Sequence, residues 1–209
     1  MAGTDARYIV VAGNIGVGKS TLVGILAETL RWTPIYELEE AHPYLDDYYA
    51  DPARWGFHSQ LWFLTKRFTQ HQQIAKLPGV VVQDRSIYED AVVFAASLYE
   101  QGLLSARDYA TYRQLYEAIV RELRPPDRIV YLRASVPALL ARIAKRARPA
   151  EQGIQASYLE SLERHYQAWI GAWRSCPVLT IDTDDLDLSQ DAAAQALVIE
   201  MLTASLLGD

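Results

Sequence analysis

Apolar residues along this chain gather into short dense runs, separated by longer stretches in which they return at every third or fourth position. Four of the runs are rich in β-branched residues: Tyr8–Ala12, Gly79–Gln83, Arg128–Arg133 and Pro177–Asp182. The weaker Thr33–Glu37 adds a fifth. Near-continuous apolar runs of this length fit strands buried on both faces. Between them, Lys19–Leu30, Arg54–Lys76, Ile87–Gln101, Ala106–Leu123, Val136–Arg146, Gln155–Ser175 and Ser189–Leu207 carry helical spacing, and Pro125-Pro126 ends the fourth of these. The alternation predicts an α/β fold, a five-stranded parallel sheet flanked by helices on both faces. No repeat, low-complexity tract or linker breaks the pattern, so a single domain is expected over residues 1–209. In such a sheet, ligands bind beyond the carboxyl ends of the strands.

Charge narrows the partners. Asp plus Glu is 26 against 20 for Lys plus Arg, a net charge of −6. That balance argues against nucleic acid as a partner, because phosphate neutralisation dominates such binding. A nucleotide bound here has to be held by a local cluster of cations. Cys176 is the one cysteine, so no intrachain disulfide can form, which fits a reducing compartment. Tyr8–Ala12 is too short for the apolar region of a signal peptide, and no run approaches the roughly 18 apolar residues of a membrane helix. A cytoplasmic protein without membrane contact is expected.

The first strand leads into Gly13-Asn14-Ile15-Gly16-Val17-Gly18-Lys19-Ser20-Thr21, and a helix follows. This is G-x-x-x-x-G-K-[ST] in its required context. The glycines let successive backbone N–H groups turn toward phosphate oxygens, and the helix adds its positive end. Lys19 is expected on the β- and γ-phosphates of ATP, and the Ser20 hydroxyl on Mg²⁺. The loop announces a nucleoside triphosphate without choosing the chemistry; a switch GTPase is excluded, because no Asn-Lys-x-Asp guanine motif is present.

Carboxylates follow two of the strands. Asp84 closes Val80-Val81-Val82-Gln83 and is placed to hold Mg²⁺ directly or through water, with Arg85 next to it to offset charge on the transferring group. Glu37 closes the second run, where a carboxylate can take the proton of an acceptor hydroxyl. Glu39 and Glu40 lie in the same run, and spacing alone leaves the choice among the three open.

With Gly13–Thr21, Glu37 followed by Pro43-Tyr44-Leu45, Trp55-x-Phe57-x-x-Gln60, Asp84-Arg85-Ser86 and Arg142-x-x-x-Arg146-x-Arg148 in view, the chain resembles the deoxynucleoside kinase family over nearly its whole length. The run Glu37–Leu45 and the Asp in the Asp84-Arg85-Ser86 triplet are similar to the bacterial deoxyadenosine/deoxyguanosine kinase branch. The resemblance implies a P-loop kinase fold with a lid, transfer from Mg·ATP to the 5′-hydroxyl of a deoxynucleoside, and a homodimer through the two helices spanning Ile87–Leu123. It puts the general base on Glu37, with Arg85 beside it on the 5′-oxygen. It gives Gln60, Arg67 and Asp90 as readers of the base, and Tyr49 and Glu151 at the 3′-hydroxyl. Helical spacing agrees with the base readers: Gln60, Phe63 or Leu64, and Arg67 share a face, as do Asp90 and Phe94. Phe94, with Trp55 or Phe57, is expected to sandwich the ring. The branch resemblance favours a purine, deoxyadenosine or deoxyguanosine, with deoxycytidine as another candidate.

Arg142, Lys145, Arg146 and Arg148 form a basic run within an acidic chain, and Arg142 and Arg146 share a helix face. With Pro149, Ala150 and Gly153 they suit a segment, at about 142–154, that closes over the donor phosphates. The family commonly has Gly where Ala147 stands, and an acid where Ala150 stands. Two rival readings are weaker. A thymidylate-kinase-like enzyme acts on a monophosphate, which Glu37, Glu39 and Glu40 would repel. A non-catalytic subunit of the same fold is expected to have lost Lys19, Glu37 or Arg85, and all three are intact.

Overall fold

The computed structural model describes residues 7–36, 42–148, 151 and 153–207. Its five strands are β1 (Arg7–Gly13), β2 (Thr33–Ile35), β3 (Val80–Asp84), β4 (Arg128–Arg133) and β5 (Val178–Asp182), all parallel in the order β2-β3-β1-β4-β5. The sheet is the expected one, with each strand within two residues of its predicted bounds. Alternation along the strands assigns side chains to two cores. Tyr8, Val10 and Ala12 of β1 pack with Ile129 and Tyr131 of β4 on one face, and Ile9 and Val11 with Val130 and Leu132 on the other. Successive residues of a strand point to opposite faces, so both faces need an apolar cover.

Helices α3 (Pro52–Ile74), α6 (Ala106–Val120) and α8 (Ala156–Ala172) cover the first face; α1 (Lys19–Leu30), α7 (Val136–Arg146) and α9 (Ala192–Leu207) cover the second. A short helix, α2 (Leu45–Ala50), precedes α3 and has no counterpart in the sequence reading. Asp51 caps α3, accepting from Arg54 N at 3.1 Å, and Pro52 opens it, so α3 starts two residues before the predicted Arg54. Among the described residues no helix is long and apolar enough to cross a membrane.

The segment read as one helix over Ile87–Gln101 is instead broken into α4 (Ile87–Glu89), a π segment (Asp90–Ala95) and α5 (Ala96–Glu100). The wider turn places Asp90 and Phe94 together on the inner wall. Nothing in apolar spacing distinguishes a π turn from an α turn over so few residues.

Register sets the site. Val11 pairs with Asp84, and Gly13 with Leu132, so the phosphate loop, the end of β3 and the end of β4 open on the same side. Gly13 has φ 144°, and a Cβ there would stand 2.4 Å from the Leu132 carbonyl oxygen. A Gly13→Ala variant is expected to lose about 2–4 kcal/mol, from a backbone region closed to side chains together with the clash. Thermal unfolding followed by circular dichroism should show a midpoint roughly 5–15 °C lower.

Candidate functional site

Two cavities open at the carboxyl ends of the strands, and the phosphate loop separates them. Ile15, Gly16, Gly18, Lys19, Ser20 and Thr21 line the first, while Gly16, Val17, Gly18 and Thr21 line the second. Gly13 and Asn14 line neither; they hold the loop in place. Asn14 is fully buried, its Nδ2 donates to Leu159 O at 2.9 Å, and its Oδ1 accepts from Ile15 N at 2.8 Å. Lys19 Nζ donates to Asn14 O at 2.9 Å. Gly18 has φ 104° at the start of α1, which lets the loop turn into the helix.

Ser20 Oγ donates to Asp84 Oδ2, bringing the first turn of α1 against the end of β3. Asp84 is 1% exposed, and its Oδ1 is buried with no hydrogen-bond partner among the described residues. Two hard oxygen donors, one of them still unsatisfied, fit Mg²⁺, which takes one or two protein oxygens and fills its remaining positions with phosphate and water. Arg85 follows at φ 61°, left-handed backbone unusual for a residue with a side chain, and its guanidinium carbon lies 4.3 Å from the centre of the Phe94 ring.

The first cavity continues inward between α3 and the π segment. Gln60, Phe63 and Arg67 reach it from α3, one above the other at the predicted spacing. Asp90 and Phe94 reach it from the π segment. Arg67 Nε donates to Asp90 Oδ1 at 2.9 Å, with both side chains about 2–3% exposed. Burial raises the Asp90 carboxyl to about 7, against the lowering pull of the Arg67 charge. Asp90 Oδ2 is buried without a hydrogen-bond partner among the described residues.

The aromatic expectation needs correction. Phe63 and Phe94 line the cavity; Phe57 and Trp55 do not. Phe57 packs against the first core, and Trp55 stacks on Tyr44 with 5.6 Å between ring centres. On α3, Phe57 lies three residues from Gln60, but tertiary packing turns that position toward the core. Leu64 is fully buried in the first core, which settles the choice between Phe63 and Leu64.

Tyr49 lines the outer wall of the first cavity while remaining 57% exposed; its hydroxyl pKa is raised by burial and by the Glu151 carboxylate. Glu151 lines the same wall, where Arg146 pairs with both its carboxylate oxygens through Nε and Nη2. Tyr48 and Tyr158 also line it, and neither carries a signature in sequence beyond being aromatic.

The basic run divides between the cavities. Arg148 lines the first, Arg146 both, and Arg142 only the second. Arg142 is engaged by backbone, donating to Val17 O at 3.4 Å, to Thr183 Oγ1 at 3.0 Å and to Thr183 O. It ties the loop after β5 to the phosphate loop, a placement unlike its expected one over the phosphates. The second cavity has that loop, Asp184–Ser189, as its far wall. Ala147 ends α7 at φ 51°, the left-handed position that Gly commonly fills. Glu37, Glu39, Glu40, Pro149 and Ala150 lie outside the described residues.

Sequence reasoning missed Glu89. It is fully buried, accepts from Ser86 N at 2.9 Å and from Tyr166 OH at 2.6 Å, and closes a reciprocal cap with Ser86 directly after Arg85. The signal was available: Ser86-x-x-Glu89 is a capping box at a helix start.

Comparison with known proteins identifies the family and the fold. A model of the deoxynucleoside kinase family matches residues 9–207. The deoxyadenosine/deoxycytidine kinase of Bacillus subtilis (strain 168) is 39% identical over 96% of this chain and 93% of its own length. The deoxyguanosine kinase of Lactobacillus acidophilus is 34% identical over 95% of this chain and 90% of its own. Among solved structures, deoxyadenosine kinase from M. mycoides with the products dCMP and dCDP superposes with a TM-score of 0.83 at 29% identity, covering 95% of this chain and 100% of that one.

The buried pair yields a test of its own. Arg67→Ala takes its hydrogen-bonded ion-pair partner from buried Asp90, and a loss of about 3–5 kcal/mol is expected in denaturant unfolding. Asp90→Asn, which keeps an acceptor oxygen for Arg67, should lose less.

Proposed function

This chain belongs to the deoxynucleoside kinase family, and from that premise we propose that it transfers the γ-phosphate of ATP to the 5′-hydroxyl of deoxyadenosine, with deoxycytidine as second substrate. The enzyme class follows from the family; the base is the proposal. Asp90 carries it. This buried carboxylate on the cavity wall has one oxygen taken by Arg67 and the other without a hydrogen-bond partner among the described residues. An exocyclic amino group is the donor such an oxygen lacks, and adenine and cytosine both carry one on an edge that the Gln60 amide can also pair. Guanine has a carbonyl oxygen at that place, which a carboxylate repels. Phe63 and Phe94 supply apolar faces for the ring.

The other roles follow the chemistry of each position. Backbone N–H groups of Gly16–Thr21 cradle the donor phosphates, and Lys19 exchanges its hold on Asn14 O for a phosphate oxygen. Arg85, with Arg146 and Arg148, offsets charge on the transferring group. Glu37 takes the proton of the 5′-hydroxyl, and Tyr49 and Glu151 hold the sugar. Ser20 and Asp84 would hold Mg²⁺, which neutralises charge between the β- and γ-phosphates when bound. Residues 1–209 act as one domain and work as a homodimer in the cytoplasm, pairing through the helices that expose Tyr99 and Leu115.

Purified protein with Mg·ATP, assayed against the four deoxynucleosides and their monophosphates by ADP release, should turn over deoxyadenosine fastest and deoxycytidine next. Turnover of deoxyguanosine alone would overturn the base assignment. Glu37→Gln should keep nucleoside binding and lower kcat about 10²-fold or more; near-normal turnover would move the base elsewhere. The ionised form of Asp90 is the one that accepts from the amino group. Its folded pKa lies above the unfolded value, so the proton returns as pH falls through about 7. The KM for deoxyadenosine should therefore rise roughly tenfold between pH 8 and pH 6, at constant KM for ATP. Light scattering should give the dimer mass.

A further inference from the structure

Helix α8 lines the cavities only through its first turn, at Tyr158, yet its buried face sends polar contacts to both halves of the phosphate site. Toward the donor half, Leu159 O accepts from Asn14 Nδ2 at 2.9 Å, and Glu163 Oε2 accepts from the same nitrogen at 3.4 Å. Glu163 Oε1 is steadied by Tyr131 OH at 2.6 Å and by Gln167 Nε2 at 3.2 Å. The Asn14 carbonyl accepts from Lys19, so what fixes Asn14 helps to fix where that lysine waits. Toward the acceptor half, Tyr166 OH donates to Glu89 Oε2. Glu89 closes the cap that shapes the turn carrying Arg85 at φ 61°. The Tyr166 ring meets Phe94 edge-on at 6.3 Å, and Phe94 is the ring beneath the Arg85 guanidinium.

Residues 163 and 166 are three apart, so they share one face of the helix. Neither lines a cavity. A carboxylate as buried as Glu89 is costly to desolvate, and each donor it holds is correspondingly valuable. We propose that α8 is a two-armed brace for phosphoryl transfer, in which Glu163 positions the phosphate loop and its lysine for the donor, while Tyr166, through Glu89, positions Arg85 for the acceptor. The inference rests on the kinase reading above. It assigns two positioning residues that act through others, and it gives the two arms separable kinetic signatures.

Steady-state kinetics with ATP and deoxyadenosine, well below the unfolding midpoint of every variant, separate the arms. Tyr166→Phe should lower kcat roughly tenfold and leave both KM values within about twofold, because a hydrogen bond to a charged group is lost behind Arg85. Glu163→Ala should raise the KM for ATP roughly fivefold with kcat and the deoxyadenosine KM nearly unchanged, and Glu163→Gln, which can still accept from Asn14, should restore it. Ser161→Ala serves as the control: Ser161 is on the same helix but donates to Glu100 at 2.9 Å, away from both cavities. It should lower the unfolding midpoint and move no kinetic constant. The brace is overturned if Tyr166→Phe and Glu163→Ala behave like Ser161→Ala, or if both shift the same constant by the same factor. Should wild-type protein be silent with every deoxynucleoside, the functional reading fails first. The donor arm is still judged by calorimetry with Mg·ATP, where an unchanged Kd in Glu163→Ala overturns it.

Discussion

Parallel pairing on both sides of β1 is the constraint from which the rest of this molecule follows. Because β3 and β4 run in the same direction as β1, with Val11 level with Asp84 and Gly13 level with Leu132, three chain segments with different chemistry leave the sheet at one height. A phosphate loop, a carboxylate with its following arginine, and the start of helix α7 are brought together by the pairing of the strands that precede them. The side chains need only be the right ones at the strand ends. Gly13 shows how tight the arrangement is, since its absent Cβ is what lets the loop pass the Leu132 carbonyl.

That convergence concentrates charge where water is excluded. Lys19, Asp84, Arg85, Glu89, Arg67 and Asp90 are all buried within a short span of the fold. Ions removed from water are tolerated only when each finds an opposite charge or a well-placed donor. Arg67 and Asp90 solve this by pairing; Glu89 does so with neutral donors from Ser86 and Tyr166; Ser20 donates to Asp84. What remains unsatisfied is instructive, because Asp84 Oδ1 and Asp90 Oδ2 are among the buried atoms without a hydrogen-bond partner among the described residues. Asp84 lies behind Ser20, which lines the first cavity, and Asp90 lines that cavity itself; a metal ion and a base are proposed to supply the missing contacts.

The π segment and α8 give this polar interior its shape. Widening one turn at Asp90–Ala95 lets Asp90 face Arg67 while Phe94 lies under Arg85, so a single irregular stretch serves both ends of the cavity. Such turns persist where surrounding packing holds them. Here that packing is in part Tyr166, whose hydroxyl meets Glu89 and whose ring meets Phe94. The arginines of the basic run are shared out by the same logic: Arg142 is spent on backbone carbonyls of two loops, leaving Arg146 and Arg148 at the first cavity.

The order of strands and helices, the phosphate loop and the α3 face of Gln60 and Arg67, with either Phe63 or Leu64 between them, were legible in the chain, because each depends on local periodicity or a contiguous motif. The five strands and the helices α1 and α7 could be drawn from spacing alone, and the family resemblance carried most of the residues proposed to read the base. Tertiary structure decided the rest. It chose Phe63 over Phe57 and Trp55 by turning one side of α3 toward the core, and it bent Ile87–Gln101 through a π turn that has no apolar signature. It also moved Arg142 from phosphate to backbone, and brought Tyr166 against Glu89 across 77 positions of sequence. Periodicity states which residues share a face of their own element. Which neighbouring element that face meets depends on contacts distant in sequence, and those exist only once the sheet has closed the distance.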